Sequence, residues 1–334
     1  MGVFGKKDKL QIIAFQTYGT DAHLYLRGRA LEDEEIDLAD KGFFKLIRNT
    51  YQRFDADEIK HTPLNIKLVD GRAVSGETND DGYYLIDLPS KDLSQLINDE
   101  GWLQYAISYS DYSLKREILH ENRFPGEMMI PHEDAEFGII SDIDDTILWT
   151  GVASFLKWRA ILRTFFSNVG QRIPLKGAAK LYHRLHHGKS GKAVNPIFYV
   201  SNSPWNLYRY LEFFLIKNSF PKGPILLRSL RAALTKNHDN DRPHKQHEIR
   251  NILKTYPGLS FILIGDSGEY DADIYKEIAE EYPNQILAIY LRDVGHRKRM
   301  VRVKDLFAEF DSTPVLFVEN SDQLELHAKQ IGLL

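Results

Sequence analysis

Three aspartates stand within four positions in the stretch ISDIDDTILWTG, residues 140–151. They follow the apolar run FGII, so Asp142 and Asp144 lie where a buried strand ends and where side chains two positions apart can point the same way. Carboxylates this close resist ionisation unless a positive charge lies among them. The pattern therefore predicts that Asp142 and Asp144 share one cation.

A second group of carboxylates follows the apolar run FILIG, in the stretch GDSGEYDAD. Asp266 comes directly after the glycine, and Asp271 lies five residues further on. Two strand ends in one parallel sheet can face each other across a crevice, so Asp142, Asp144 and Asp266 could converge. Mg²⁺ takes few carboxylates and completes its octahedral shell with water and substrate phosphate. A lone aspartate would more often cap a helix or a turn, but two such groups after two buried strands favour a magnesium site.

The elements that must position these aspartates are predicted between residues 131 and 334. Short apolar runs, FGII, PIFYV, FILIG, ILAIYL and PVLFV, alternate with helical periods such as DADIYKEIAEEY. Continuous apolar strands with intervening helices predict an α/β fold, a Rossmann-like parallel sheet covered on both faces. Each candidate residue lies at the carboxyl end of a predicted strand, where such sheets bind ligands.

The preceding residues, 1–130, are predicted to form a separate domain, a small β-sandwich. The runs LQIIAF, HLYLRG, LNIKLVDGRAVSGETNDDGYYLIDLP and WLQYAIS alternate like strands, while a helix is predicted over 38–54. Two Asp-Gly pairs predict hairpin turns: Asp70-Gly71 and Asp81-Gly82. In FPGEMMIPHEDAE the alternation stops, which predicts a connection between domains and a boundary at about residue 130. We assign no chemistry to this domain.

Composition narrows the class of protein. The absence of cysteine excludes disulfides, thiolate zinc sites and a cysteine nucleophile, and it fits a reducing cytoplasm. The N-terminal stretch MGVFGKKDKL lacks the apolar segment of a secretory signal, and no apolar run approaches the roughly 18 to 20 residues that span a bilayer. The net charge of −4 argues against general nucleic-acid binding. We therefore expect a soluble, cytoplasmic protein.

Four motifs occur in one order along the chain: DIDDT, YVSNSPW, HKxxxIxxIL and GDSGEYDADIY. Together they resemble the haloacid-dehalogenase-like phosphatases, most closely the actin-patch-associated phosphatidate phosphatases, which are related to lipins. The resemblance covers about residues 135–320. It implies that Asp142 attacks phosphorus and becomes an aspartyl phosphate, and that Asp144 protonates the leaving alkoxide and then activates water. It also implies that Mg²⁺ is the cofactor, held by Asp142, Asp144 with its backbone carbonyl, Asp266 and Asp271.

The resemblance further implies a set of residues that hold the transferred phosphoryl group: Thr146, Ser201, Asn202 and Lys245. Ser201 follows the strand PIFYV, and Lys245 opens the helical stretch KQHEIRNILK, where its ammonium could pair with the nucleophile and the phosphate. A serine at a strand end is more often a turn residue, and a lysine in a first turn is usually solvated. The choice of these two residues therefore depends on the motif match.

A basic, aromatic insertion is predicted at about residues 150–194, and no acidic residue occurs between Asp145 and Glu212. On a helical wheel its aromatic and aliphatic residues fall on one side, with basic residues away from them. This pattern is typical of a helix that lies on an anionic membrane. The predicted membrane contacts are Phe155, Lys157, Trp158, Arg159 and Arg163. Alternatively, the aromatic stripe packs on the domain's own core. No RNA-binding or helix-turn-helix signature accompanies it.

The function expected from the sequence is that of a Mg²⁺-dependent phosphatase acting on a phosphomonoester head group at a membrane surface, converting phosphatidate to diacylglycerol. The partners expected are a phospholipid substrate and a peripherally bound anionic membrane, with no nucleic acid. Two alternatives are open: a phosphatase for a soluble phosphomonoester, with the insertion as a closed cap, and a phosphatidate-binding module without activity. Aspartate at both the nucleophile and the acid position, Asp142 and Asp144, favours catalysis.

Overall fold

The computed structural model describes residues 9–33, 58–110, 116–143, 146–147, 177–228, 241–267, 270–293 and 297–334. It divides into two compact units, Met1–Ile130 and Pro131–Leu334. The predicted helix over 38–54, Asp144 and the predicted membrane contacts between Phe155 and Arg163 lie outside the described residues. Among the helices that the structure describes, none combines the length and the apolar character needed to cross a bilayer.

The first unit is rich in β-structure. Its strands are β1 Lys9–Phe15, β2 Thr17–Tyr18, β3 His23–Asp33, β4 Pro63–Leu68, β5 Ala73–Glu77, β6 Tyr83–Pro89, β7 Trp102–Tyr109 and β8 Phe124–Met129, with single 3₁₀ turns at Leu93–Leu96 and Leu119–Asn122. They form a three-stranded sheet, β1-β3-β6, and a five-stranded sheet, β2-β8-β7-β4-β5. Alternate residues of β4 point inward, so Leu64, Ile66 and Leu68 enter one core that strands of both sheets share.

Only one of the two predicted Asp-Gly hairpins joins paired strands. The turn at Asp70-Gly71 connects β4 to β5, which pair antiparallel, so this hairpin is confirmed. The hairpin predicted at Asp81-Gly82 is wrong. Gly82 does take the positive φ of 73° that a turn residue needs, but β5 and β6 belong to different sheets. The chain therefore crosses between sheets at this turn.

The predicted interdomain connection begins too early, because Phe124–Met129 form strand β8, which pairs antiparallel with β7. Pro125 and Gly126 hide this strand in the sequence, since both residues weaken a strand pattern. The glycine has a local cause. A Cβ atom at Gly126 would lie 2.2 Å from the ring of Tyr105, its partner on β7.

The second unit contains a six-stranded parallel sheet in the order β11-β10-β9-β12-β13-β14. Its strands are β9 Gly138–Asp142, β10 Ile197–Pro204, β11 Ile225–Arg228, β12 Phe261–Asp266, β13 Ile286–Arg292 and β14 Val315–Val318. Its helices are α1 Ala178–His187, α2 Tyr208–Lys217, α3 Asp241–Thr255, α4 Asp271–Glu281, α5 Arg297–Leu306 and α6 Ser321–Gln330, with a 3₁₀ turn at Trp205–Leu207. The predicted α/β class and parallel sheet are confirmed.

The chain winds outward from the middle of this sheet in two directions. It first builds β9, β10 and β11 toward one edge, and then β12, β13 and β14 toward the other, so β9 and β12 are neighbours. Every residue of β9 and of β12 is buried, which explains why both read as continuous apolar runs. The point where the winding reverses lies between them, and ligands bind at such a point in open α/β sheets.

Two details of this unit differ from the sequence prediction. The edge strand β11, Ile225–Arg228, was not predicted, because a four-residue run after a proline gives too short a pattern. Helix α3 begins at Asp241 rather than at Lys245, so Lys245 lies in its second turn.

The described part of the predicted basic insertion is α1, which lies in the connection between the parallel strands β9 and β10. The helix buries Ala178, Leu181, Tyr182 and Leu185. This part of the insertion therefore packs on the core of the second unit, and its basic residues lie on the remaining surface.

Candidate active site

Asp142 is the last residue of β9 and has only 1% of its surface exposed. Its neighbour on β10 is Val200, so Ser201 follows at the same edge of the sheet. The Nζ atom of Lys245, from α3, lies 2.7 Å from Asp142 Oδ1. The carboxylate at the end of the central strand is therefore buried and paired with a buried ammonium.

Two more carboxylates join Asp142 at this edge. Asp266 is the last residue of β12, and Asp271 is the first residue of α4; both are buried. One carboxylate oxygen from each of Asp142, Asp266 and Asp271 lies within 4.8 Å of the other two. In the part of the chain that the structure describes, this is the one group of three potential ligand side chains with such spacing.

The carboxylate of Asp271 is fixed by donors on both of its oxygens. Oδ1 accepts a charge-assisted hydrogen bond from Lys245 Nζ, and Oδ2 accepts the backbone N–H of Asp266 at 3.3 Å. This close approach to the strand requires glycine at position 265. A Cβ atom there would lie 2.6 Å from Asp271 Oδ2 and 2.7 Å from Cε2 of Tyr275.

Helix α3, which carries Lys245, is held against α4 by a polar network on the surface. Arg250 donates to Glu277 at 2.6 Å and to Glu281 at 2.7 Å, and Gln246 donates to Glu277 at 2.6 Å. Because Gln246 directly follows Lys245, these bonds fix the register of α3 on α4. They therefore place the ammonium opposite the Asp271 carboxylate.

Tyr275 ties α4 to the strand beneath it. Its hydroxyl donates to the backbone carbonyl of Ile264 at 3.0 Å. Burial, and then the negative charge of Asp271, raises the pKa of Tyr275 well above its ordinary value, so the phenol stays protonated as a donor. The bond lies one turn along α4 from Asp271 and limits the movement of that carboxylate.

A second buried tyrosine holds the backbone at Asp142. Ser141 Oγ donates to the carbonyl oxygen of Asp142 at 2.8 Å, so the Tyr182 hydroxyl, 2.6 Å from the same Oγ, is the donor to it. Burial raises the pKa of Tyr182 and keeps its proton in place. Helix α1 is thereby linked through two hydrogen bonds to the residue that ends β9.

Ser201 and Asn202, two of the residues predicted to hold a phosphoryl group, directly follow Val200, the register partner of Asp142. Ser201 is fully buried, and its Oγ accepts the backbone N–H of Ser203 at 2.9 Å. Thr146 Oγ1 and Asn202 Oδ1 are buried and have no hydrogen-bond partner among the described residues. Buried polar atoms are nearly always paired, and a polar ligand here would complete the pairing of these two atoms. Asp144 lies outside the described residues.

The donor set suits a hard divalent cation. Three buried carboxylates and one ammonium leave negative charge inside the protein, which is costly without a further positive charge. All the potential ligand atoms are oxygens, which Mg²⁺ prefers. The residues present therefore fit a magnesium ion.

The segment that contains the carboxylate cluster matches a known protein family. Residues 137–293, which contain the whole cluster, match the family model described as "Phosphatidate phosphatase APP1, catalytic domain". These residues are similar to the catalytic domain of the phosphatidate phosphatase APP1 family. The predicted resemblance to the actin-patch-associated phosphatidate phosphatases is thus confirmed.

Two curated proteins are similar to this chain. Phosphatidate phosphatase APP1 of Saccharomyces cerevisiae is 39% identical over 170 residues, which are 51% of this chain and 27% of the yeast protein. An uncharacterised protein of Schizosaccharomyces pombe is 29% identical over 157 residues, 47% of this chain and 25% of that protein. The chain thus spans about a quarter of the length of the curated relatives it matches.

Two solved structures align over most of this chain, with TM-scores too low to carry an argument. Bacteroides thetaiotamicron EndoBT-3987 with a Man5GlcNAc product aligns over 94% of this chain and 89% of its own, with 6% identity and a TM-score of 0.23. A carbohydrate esterase aligns over 98% and 96%, with 11% identity and a TM-score of 0.24.

Four residues of this site had no predicted role: Ser141, Tyr182, Gly265 and Tyr275. The spacing D-x3-Y on a helix could have indicated Tyr275, because residues four apart share a helix face. Gly265 directly precedes a predicted ligand, where a close approach to the backbone is plausible. Nothing in the sequence pairs Ser141 with Tyr182, which stand 41 positions apart.

Proposed function

We propose that the second unit is a Mg²⁺-dependent phosphatase that converts phosphatidate to diacylglycerol and inorganic phosphate through an aspartyl-phosphate intermediate. One observation carries the proposal: three buried carboxylates and a buried lysine meet where β9 and β12 end, inside the segment that matches the catalytic domain. The substrate comes from the name of the yeast relative. The strand order, which corresponds to 3-2-1-4-5-6 within the unit, supports the Rossmann-like arrangement of haloacid-dehalogenase-like enzymes.

In the first step an Asp142 carboxylate oxygen attacks phosphorus. The bond between phosphorus and the glycerol oxygen breaks, and Asp144 gives its proton to that oxygen, which leaves as the hydroxyl of diacylglycerol. Lys245, 2.7 Å from Asp142 Oδ1, orients the attacking carboxylate and offsets the charge of the incoming phosphate. The product of this step is an acyl phosphate on Asp142.

In the second step water attacks the phosphorus of this acyl phosphate. Asp144 removes a proton from the water, the bond between phosphorus and the Asp142 oxygen breaks, and inorganic phosphate leaves. Both residues return to their starting protonation states. Dividing the hydrolysis in this way replaces one difficult displacement by two easier ones.

The magnesium ion would be held by Asp142, Asp266 and the backbone carbonyl of Asp144, with Asp271 beside them. When bound, Mg²⁺ supplies positive charge to the phosphoryl oxygens as they approach the carboxylate. The hydroxyls of Thr146 and Ser201 and the amide of Asn202 would donate hydrogen bonds to the same oxygens.

Phosphatidate is a membrane lipid, so this function requires the protein to work at a bilayer surface. We propose that it does so as a cytoplasmic, peripherally bound protein, with Phe155, Lys157, Trp158, Arg159 and Arg163 of the basic insertion among the contacts. Basic residues near an anionic leaflet give binding that is reversible and sensitive to salt.

The proposal is tested by phosphate release from phosphatidate in mixed micelles, with the full chain and with or without Mg²⁺. We expect turnover with Mg²⁺ and none after chelation. Asp142→Asn should lower turnover at least about 1,000-fold, because an amide is a poor nucleophile, while Asp311→Asn, an exposed control, keeps it. Hydroxylamine should trap an acyl phosphate on the native chain only.

Three results would contradict the proposal in whole or in part. Retained turnover in Asp142→Asn would remove Asp142 from the mechanism. A native chain that binds phosphatidate but hydrolyses no phosphomonoester would point to the binding module instead. Hydrolysis of soluble esters without hydrolysis of phosphatidate would keep the chemistry and overturn the substrate.

A further inference from the structure

Helix α5, Arg297–Leu306, carries a charge pattern to which no role has been given. Its sequence is RKRMVRVKDL, so five of ten residues are basic and one is acidic. Met300 and Val303 are buried and dock the helix on the second unit. The basic residues are all exposed. The chain therefore presents a basic helix face to its surroundings.

An exposed apolar side chain lies among these charges. Val301 is 53% exposed. Its neighbours three and four positions away on the helix surface are Arg297, Lys298, Lys304 and Asp305. An apolar side chain surrounded mainly by cations is typical of a face that enters the head-group region of an anionic membrane.

The helix lies at the edge of the sheet that holds the active site. Strand β13, which precedes it, ends at Arg292, the register partner of Asp266. Arg297 follows five residues later, so its Cα lies within about 18 Å of that of Arg292. The two terminal guanidinium nitrogens of Arg302 donate to the two carboxylate oxygens of Asp273, on the first turn of α4, each at 3.0 Å. The bidentate pair fixes α5 beside the helix that begins with Asp271.

The charges are distributed unevenly along α5. Arg297, Lys298 and Arg299 occupy the first turn, at the end nearer the active site, and no acid accompanies them there. Cations at a helix N-terminus repel the positive end of the helix dipole, and an anionic head group close to this turn would offset that repulsion. Within and just after the helix, the acids Asp305 and Glu309 come at the opposite end.

We propose that the exposed face of α5 docks on an anionic phospholipid bilayer and presents the carboxyl edge of the sheet to the membrane. The inference rests on the proposed function, because a phosphatidate phosphatase must reach a head group at the bilayer surface. A negative leaflet complements the cations, and its head-group region can accept Val301. Each cation near such a surface strengthens binding about fivefold.

The first test measures binding of the full chain to vesicles containing phosphatidylserine, by sedimentation at low salt. The variant carries Arg297→Gln, Lys298→Gln and Lys304→Gln. Its control carries Lys217→Gln, Lys222→Gln and Lys254→Gln, which remove the same charge from exposed positions at the opposite edge of the sheet. We expect binding to weaken about 125-fold in the α5 variant and by much less in the control. Equal losses would overturn the proposal.

The second test uses the absence of cysteine from the chain, which allows a single thiol to be labelled. Val301→Cys with an environment-sensitive fluorophore should show a blue shift on phosphatidylserine vesicles. Ile216→Cys, 70% exposed near the far end of α2, should show none. No shift at position 301 while the chain is vesicle-bound, or equal shifts at both, would overturn the docking surface.

A soluble substrate separates failure of docking from failure of the proposed function. The α5 variant should hydrolyse short-chain, monomeric phosphatidate at the native rate and lose activity only on vesicles. If the native chain hydrolyses the monomer but binds no vesicles, docking fails and the phosphatase stands. If the native chain docks through α5 but hydrolyses phosphatidate neither as monomer nor in vesicles, the proposed function fails.

A nucleic acid is the other polyanion that this face could bind. If the native chain binds single-stranded RNA but no vesicles, and the α5 variant loses the RNA binding, this face is a nucleic-acid contact and the proposal is overturned.

Discussion

Lys245 Nζ lies 2.7 Å from Asp142 Oδ1 and also contacts Asp271, so one ammonium joins the end of β9 to the start of α4. All three side chains are almost fully buried. The lysine thus performs two tasks. It orients the proposed nucleophile, and it offsets the repulsion between two carboxylates that the fold brings together. These tasks can be separated by measuring stability and activity on the same variants.

Lys245→Met should unfold more easily, because it leaves buried carboxylates without their cation. We expect a loss of about 3 to 5 kcal/mol in the free energy of unfolding, measured with urea in the absence of Mg²⁺. Lys254→Met, at the exposed end of the same helix, should change it by less than about 0.5 kcal/mol. Adding Asp271→Asn to Lys245→Met should restore part of the stability but no activity. A loss equal to that of Lys254→Met would contradict the bridging role.

Magnesium should raise the thermal unfolding midpoint of the native chain, since a ligand that binds only the folded state stabilises it. The increase should grow with Mg²⁺ concentration and disappear after chelation. Asp266→Asn should abolish it, because one oxygen of that buried carboxylate lies within 4.8 Å of the Asp142 and Asp271 oxygens that would share the ion. Asp311→Asn serves as the matched control and should keep the increase. An unchanged response in Asp266→Asn would remove this residue from the metal site.

The parallel sheet could be predicted from the sequence because its strands are buried on both faces. A strand such as β12 then reads as an uninterrupted apolar run, and the helix DADIYKEIAEEY reads by its period. The arrangement of strands in the first unit is less predictable from the sequence. Local alternation predicts the strands but not the sheet that each strand joins, so it predicts a hairpin at Asp81-Gly82, where the chain in fact passes from one sheet to the other. Strand β8 could not be predicted from the sequence, because the ring of Tyr105 requires glycine at position 126 and glycine weakens a strand pattern.

In the site, too, some contacts can be predicted from the sequence and others cannot. Asp142 and Asp266 could be placed together because parallel strands bring their carboxyl ends to one edge of the sheet. The second of the Lys245 contacts, with Asp271, could not be predicted, since it depends on how α3 lies on α4. The hydrogen bond between Ser141 and Tyr182 likewise depends on packing between distant segments, which periodicity does not encode.

Gly265→Ala should separate Asp271 from the strand, because the new methyl group would lie 2.6 Å from Asp271 Oδ2 and 2.7 Å from the Tyr275 ring. We expect activity to fall at least about tenfold, with a loss of about 1 to 3 kcal/mol in the free energy of unfolding. The control is Gly258→Ala, where a Cβ atom would meet nothing within 4 Å. Full activity in Gly265→Ala would show that the position of Asp271 is not critical.

Tyr182→Phe should lower kcat about 2- to 12-fold with little change in KM, because it removes the donor to Ser141 and loosens the backbone at Asp142. The control is Tyr199→Phe. That tyrosine is equally buried and stacks on Tyr182 with ring centroids 6.4 Å apart, but its hydroxyl donates to Pro221. Both variants should lose similar stability, about 1 kcal/mol each.

Only the kcat separates the two tyrosines, since Tyr199 has no bond to Ser141 or Asp142 through its hydroxyl. Ser141→Ala should reproduce the kcat of Tyr182→Phe, and the two changes together should cost no more than either alone, because they break one chain of hydrogen bonds. Additive losses, or an equal loss of kcat in Tyr199→Phe, would mean that Tyr182 acts through general packing of α1 and not as a positioning residue for Asp142.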